Sequence, residues 1–403
     1  MILKLKSRAG SMRGIMLNRL DSSLVTTDVP IEEWLRLVHE ADDKSAQEGL
    51  RQIYRNNYPT QAEFIFTAGC ELECAHCIYP PDYVKYNASI STKEWVEIAE
   101  QLLNELKIQT FVYGGRSLTR GGVEFLKTLR EKAPHAHIGL IDNGMSINRF
   151  REELAEIKLD WIDISLDGIE HDHDIQRAKK GSFRQALESA LWLKEQRIAP
   201  KVNILTCLTT INRNSVIPMI REVNQLGFKN FFITPVTVYD GYRPKRSLVV
   251  SNAEFAHFIQ ELEAAVPELN DSWVELNIFD VEYMEYIGTE YRELWESFAP
   301  QHDCLERVMS SGDNDFRVHY YPSSLSGVTE FIINSNGNVI LPKVMAKNKM
   351  TENDIKGSLL EMKSYDIVQN FPGSEQFNFH GLEMINEKRI FKAILEKYDA
   401  NVK

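Results

Sequence analysis

The residues best suited to chemistry are three cysteines in one short run, Gly69-Cys-Glu-Leu-Glu-Cys-Ala-His-Cys-Ile-Tyr-Pro80. Cys70, Cys74 and Cys77 stand in a C-x3-C-x2-C spacing, so one tight loop gathers three thiolates around a single centre. Thiolate is the ligand that iron–sulfur clusters require. Three of them hold three irons of a cubane [4Fe–4S] cluster and leave the fourth iron free to bind a substrate. A structural zinc site with His76 as fourth ligand satisfies the same spacing. The other two cysteines, Cys207 and Cys304, are remote in sequence, and five in all are too few and too unevenly placed for a disulfide framework.

Such a loop needs a rigid element before it. From residue 62 onward, short apolar and β-branched runs alternate with longer amphipathic segments. The pattern predicts strands at Glu63–Thr67, Thr110–Tyr113, His137–Ile141, Trp161–Leu166, Val202–Leu208 and Asn230–Thr234. It predicts helices at Thr92–Leu106, Gly122–Lys132, Arg149–Ile157, Phe183–Glu195 and Val216–Leu226. Ser91 followed by Glu94 forms a capping box ahead of the first of these. Repeated strand–helix units with short loops imply parallel strands and right-handed crossovers. The fold class is therefore α/β, a partial (β/α)6 TIM-like barrel two units short of closure.

Three regions follow from the pattern. Residues 1–60 read as a helical N-terminal extension, 61–240 as the barrel core, and 241–403 as a small α+β extension and lid. The last contains a helix at Asn252–Ala264, a β-type segment Val328–Pro342 split at the hairpin signal Asn336-Gly337, and a helical tail from Met384 to Tyr398.

Composition narrows the partners. Hydrophobic residues make up 43% and charged residues 26% of 403, as in soluble globular proteins. A net charge of −12 argues against a nucleic-acid partner, because phosphate binding needs clustered Lys and Arg. Arg243, Lys245 and Arg246 read as a solvated loop. No apolar run approaches the roughly 20 residues that cross a bilayer, and the N-terminus lacks a signal-peptide core. A cytoplasmic address without a membrane partner is expected.

The cysteine run, together with four later motifs in order, resembles the radical S-adenosylmethionine (radical SAM) superfamily. Those motifs are Tyr113-Gly-Gly-Arg116, Ile141-Asp-Asn-Gly144, Asp163-Ile-Ser-Leu-Asp-Gly168 and the stretch from His171 through Arg177 to Gly181-Ser-Phe183. The resemblance covers roughly residues 61–240 and implies one [4Fe–4S] cluster and S-adenosylmethionine as cofactors. It implies that the backbone of Gly114 and Gly115 receives the methionine amine, with Arg116 replacing the family's acidic residue. His76 would lie near the adenine, and Asn143 belongs to the cofactor-binding set. Ser165 and Asp167 share a strand face toward the cavity, with Ser165 near the ribose or methionine end. Arg177 would meet the methionine carboxylate, and Asn203, Thr209 and Thr234 complete the adenosine side. His171 and His173 lack a third ligand nearby and are not read as a metal site.

The C-terminal region resembles the SPASM/twitch extension, at Asn336–Lys343 and Ile355–Glu361. Lys343 stands where that extension carries a cysteine, and Cys304 is the region's single thiol, so no auxiliary cluster is expected. Without a nearby electron acceptor the reaction should be redox-neutral: a rearrangement, an elimination, or hydrogen return from a thiol, with Cys304 first and Cys207 second as donor. The expected activity is hydrogen abstraction from a small polar metabolite such as a sugar, nucleoside or amino-acid derivative. An external electron donor such as flavodoxin or ferredoxin would drive it. A peptide maturase is the alternative enzyme, and a non-catalytic zinc-stabilised binding protein the alternative of another class.

Overall fold

The computed structural model describes residues 61–67, 69–77, 90–106, 108–115, 117–238, 245–301, 304–320, 330–340, 357–364 and 367. The expected extension over 1–60, the helical tail, Arg116, Arg243 and Lys343 lie outside them.

The barrel core follows the predicted alternation. Strand β1 (Gln61–Phe64) leads through the cysteine loop to α1 (Thr92–Glu105), β2 (Thr110–Tyr113), α2 (Arg120–Lys132), β3 (His137–Asp142) and α3 (Arg151–Ile157). Next come β4 (Trp161–Ser165), α4 (Glu170–Gln176), α5 (Ser182–Glu195), β5 (Val202–Leu208), α6 (Val216–Gln225) and β6 (Asn230–Pro235). The capping box forms as expected. Ser91 Oγ receives the Glu94 N–H at 3.3 Å and the Glu94 carboxylate receives the Ser91 N–H at 2.7 Å. Behind that cap, Trp95, Ile98, Ala99 and Leu102 present one buried face.

The alternation does not stop near residue 240, as the sequence pattern suggested. Helix α7 (Asn252–Ala265) delivers β7 (Trp273–Ile278), which pairs parallel to β6. After α8 (Val281–Glu290) and α9 (Arg292–Glu296), an antiparallel ribbon follows: β8 (Ala299–Gln301), β9 (Cys304–Ser311) and β10 (Asn314–Tyr320). Strand β10 pairs parallel to β7, and β11 (Glu330–Ile333) pairs parallel to β1 at the opposite edge. The hairpin expected at Asn336-Gly337 joins β11 to β12 (Asn338–Ile340), with Gly337 at φ 80° and β13 (Gly357–Ser358) beside it. Among the described residues the order is β13-β12-β11-β1-β2-β3-β4-β5-β6-β7-β10-β9-β8, an unclosed sheet that forms a partial barrel. β7 escaped notice because its alternate positions are Trp273, Glu275 and Asn277, which break the apolar run of a doubly buried parallel strand.

The two faces of the sheet differ. One face carries Phe64, Phe111, Ile138, Ile162, Ile204 and Val274, which join helix residues in a single continuous core. The opposite face is largely polar, and its small apolar cluster of Leu205, Phe232 and Trp273 is separate from that core. Period-two alternation produces this division, since successive side chains point to opposite faces. On this inner face Gly139 lies beside Trp161, and a Cβ added there would run into the indole ring. Gly139→Ala should therefore lower stability by about 1–3 kcal/mol, read as a reduced urea midpoint at unchanged slope.

Candidate functional site

The cysteine loop is held from both ends. After β1, Phe66 stacks on Trp95 at 5.0 Å and on Tyr113 at 5.6 Å, which fixes the chain entering the loop. Tyr113 donates its hydroxyl to Ser117 O at 3.2 Å, and Ser117 Oγ in turn lies 3.6 Å from Cys70 Sγ. Asn143, just past β3, aims its Nδ2 at the same sulfur from 3.5 Å. Asp142 secures that turn by accepting the N–H of Gly144 at 2.6 Å and of Leu118 at 3.2 Å. The far side of the loop is tied to the end of α4, where Ala75 N–H donates to Gln176 O at 2.8 Å.

Arg177 caps α4 and reaches Cys74. Its Nη1 is 3.9 Å from Cys74 Sγ, and its Nε donates to Asp167 Oδ2 at 2.5 Å. Burial pushes the Cys74 thiol up to about 11 while the Arg177 guanidinium pulls it down. Burial would also raise the Asp167 carboxyl, but Arg177, His76 and His173 together hold it well below the carboxylate range. His76 is lowered to about 4 by burial and stays neutral at pH 7, its Nε2 3.8 Å from Asp167 Oδ2. His173 serves the fold: its Nδ1 accepts the Asp167 N–H at 3.0 Å and its ring meets Phe183 edge-on. The adjacent Asp174 caps α5, accepting from Gly181 N, Ser182 Oγ and Phe183 N, which accounts for the Gly-Ser-Phe run.

Gly114 leaves β2 on the side where a Cβ would meet the Glu63 carboxylate at 2.5 Å, and Gly115 turns the chain at φ 81°. Ser165 on β4 and Thr234 on β6 are half-buried at the C-terminal ends of their strands, as is Cys207, which is Thr234's cross-strand partner. Three further expected residues are engaged within the protein. Asn203 lies toward the N-terminal end of β5, fully buried, with its amide bonded to Asp163 at 2.7 Å and Asn230 at 3.0 Å. Thr209 is also fully buried, and its hydroxyl bonds Gln176 Oε1 at 2.5 Å. Asp167 is fully buried, its carboxylate taken by Arg177 and by the Cys207 N–H at 2.9 Å. Buried polar groups are satisfied internally, and these have found partners other than a ligand. Cys304 opens β9 as the partner of Gln301, away from the cysteine loop in the strand order.

The donor set fits an iron–sulfur cluster. Three thiols share one loop, two of them face N–H or O–H donors, and Cys74 feels the charge of both Cys70 and Cys77. The family model of the radical SAM superfamily matches residues 64–223, the span that carries all of these groups. Residues 64–223 therefore form a radical SAM domain. The chain is 30% identical over 177 residues to the Fe-coproporphyrin III synthase of Methanosarcina barkeri, covering 43% of this chain and 42% of that one. It is 23% identical over 238 residues to the sporulation killing factor maturation protein SkfB of Bacillus subtilis, covering 56% and 54%. The chain thus spans about half the length of these curated relatives. Streptococcus suis SuiB bound to its precursor peptide SuiA shares the fold, with a TM-score of 0.58 at 15% identity over 82% of this chain and 69% of that one. A radical SAM domain match weighs against a non-catalytic zinc-stabilised protein.

Beyond the residues that the family model matches, the same sheet carries a second polar group that sequence patterning missed. On the inner face, β7, β9 and β10 bring together Glu275, Glu306, Arg317 and His319. His319 lies 3.5 Å from Glu275 and 2.9 Å from Glu306, and Arg317 bonds Glu306 at 2.6 Å while stacking over Trp273 at 4.4 Å. The signal was the alternation Asp315, Arg317, His319 in β10, half-buried positions set between the buried Asn314, Phe316, Val318 and Tyr320. Burial would lower His319, but the two carboxylates raise it from 6.5 to about 9. The same imidazolium holds Glu275 and Glu306 below their ordinary value despite burial. Between pH 6.5 and 9 the folded chain thus retains a proton that the unfolded chain has lost, so stability falls as pH rises through that window. Urea midpoints measured from pH 6 to 10 should show this decline, and His319→Gln should flatten it.

Proposed function

We propose that this chain is a radical SAM enzyme that holds a single [4Fe–4S] cluster at Cys70, Cys74 and Cys77 and abstracts hydrogen from a peptide. When bound, the cluster and S-adenosylmethionine supply one-electron reductive cleavage and a 5′-deoxyadenosyl radical. The residues of the chain bind, orient and shield. Gly114 and Gly115 open the backbone to the methionine amine. Arg177 has Nη2 left for the methionine carboxylate, since its hydrogen bonds among the described residues use Nε and Nη1. Ser165 and Thr234 offer half-buried hydroxyls to the ribose and adenosine, and neutral His76 provides a flat face for the adenine. The observation that carries the reading is the convergence of Ser117, Asn143 and Arg177 on the sulfurs of one loop.

A peptide is favoured because the similarity to the SkfB maturase runs over 238 residues, beyond the span of the shared radical SAM core. A small polar metabolite is the second reading, favoured by the synthase relatives that match over the core alone. In either case the substrate radical is resolved without net oxidation, because Cys304 is the extension's single thiol and Lys343 replaces a ligand position. If Cys304 returns a hydrogen atom, its thiyl radical is restored by one electron and one proton. The electron comes from an external donor such as flavodoxin or ferredoxin.

Anaerobic reconstitution should load about four irons per chain, and Cys70→Ala, Cys74→Ala or Cys77→Ala should each abolish both iron uptake and 5′-deoxyadenosine formation. A variant that keeps cleaving S-adenosylmethionine refutes the assignment. With turnover in deuterated water, solvent deuterium should enter the product and disappear in Cys304→Ala. A product oxidised by two electrons, or a second cluster in the Mössbauer spectrum, would overturn the redox-neutral reading.

A further inference from the structure

Arg177 does more in this structure than face a cosubstrate. Its side chain is 10% exposed, and two of its three nitrogens are committed within the protein, Nε to Asp167 and Nη1 to Cys74 Sγ. Asp167 cannot yield. It is fully buried, its Oδ1 takes the Cys207 N–H at 2.9 Å, and its own N–H is held by His173 at 3.0 Å. The sulfur cannot drift either, because Ala75 binds the cysteine loop to Gln176, the residue before Arg177. A guanidinium is always charged, and its rigid fork keeps geometry once one edge is fixed.

The three sulfurs are treated unequally. Cys70 receives the neutral amide of Asn143, with the Ser117 hydroxyl nearby but bonded to the Glu71 carboxylate, whereas Cys74 receives a cation. We infer that Arg177, locked by Asp167, is a positioning residue that raises the reduction potential of the cluster through its charged hydrogen bond to Cys74. This rests on the reading that the three cysteines hold the cluster. One-electron reduction adds negative charge at the centre, and a fixed cation at a ligand sulfur stabilises the reduced form more than the oxidised form. Hydrogen bonds to sulfur and net charge are the recognised determinants of such potentials. Burial strengthens the effect, since little water is present to screen it.

The test uses reconstituted full-length protein without S-adenosylmethionine, so a methionine carboxylate cannot contribute. Redox titration followed by electron paramagnetic resonance should move the midpoint of Arg177→Gln to more negative potential, with Arg177→Lys recovering part of the shift. Wild-type protein labelled with [15N]arginine should show a nitrogen coupling in the pulsed spectrum of the reduced cluster, lost in Arg177→Lys grown with the same label. An unchanged midpoint in Arg177→Gln overturns the inference. If that variant fails to keep its cluster, the wild-type spectrum decides, and no coupling there overturns it. A wild-type chain that takes up no iron refutes the cysteine reading instead.

Discussion

Neither Asp167 nor Arg177 can be stable alone where it lies, because an isolated charge in the interior carries a desolvation cost of several kcal/mol. Together they are stable only if both ends of the pair are also hydrogen-bonded, and the fold supplies those bonds from separate elements. β5 contributes the Cys207 N–H, α4 the His173 ring, and the cysteine loop the Cys74 sulfur. The pair therefore joins three elements that are far apart in sequence. Removing either partner would leave an unpaired buried charge beside the thiols, so the loop's geometry depends on it.

This arrangement is possible because the sheet separates its duties by face. The outer face is apolar and packs on the helices, which sets strand spacing and register without involving the polar groups. The inner face is then free to carry residues that would be costly in an ordinary core. Asp163 illustrates the consequence: burial raises it to about 7, offset by hydrogen bonds from Asn203 and Trp161. Glu275, Glu306 and His319 show the opposite solution, with charges retained by mutual pairing. Both are stable only inside a rigid strand frame, which explains why the site sits on a barrel wall rather than on loops alone.

Much of the frame was legible in the sequence because it obeys local rules. β2 begins and ends at Thr110 and Tyr113 as expected, β5 at Val202 and Leu208, and the capping box at Ser91 forms. The gathering of three thiols on one loop was readable too, since their spacing is a local property. What escaped depended on partners distant in sequence. β7 hides because half its residues face a polar interior, and β10 pairs with β7 only after a ribbon has reversed the chain. Asn203, expected on the adenosine side, is the second residue of β5 and is bonded there to Asp163 and Asn230.

The commitments of Asp167 also change what can be asked of its neighbours. A carboxylate bonded to Arg177 and to Cys207 N–H has little capacity left for a ligand, whereas the hydroxyls of Ser165 and Thr234 remain half-buried on the inner face. If the proposed cosubstrate binds here, the groups left to meet it are the backbone at Gly114 and Gly115, these hydroxyls and the remaining edge of Arg177. Such groups are neutral or are held by a counter-charge, so a ligand can enter without displacing a buried ion. The cysteine loop, by contrast, is surrounded by donors before any ligand arrives. The chain thus keeps its strongest electrostatics beside the cysteine loop and its adaptable polar groups at Ser165 and Thr234, and Arg177 reaches from Asp167 to the loop.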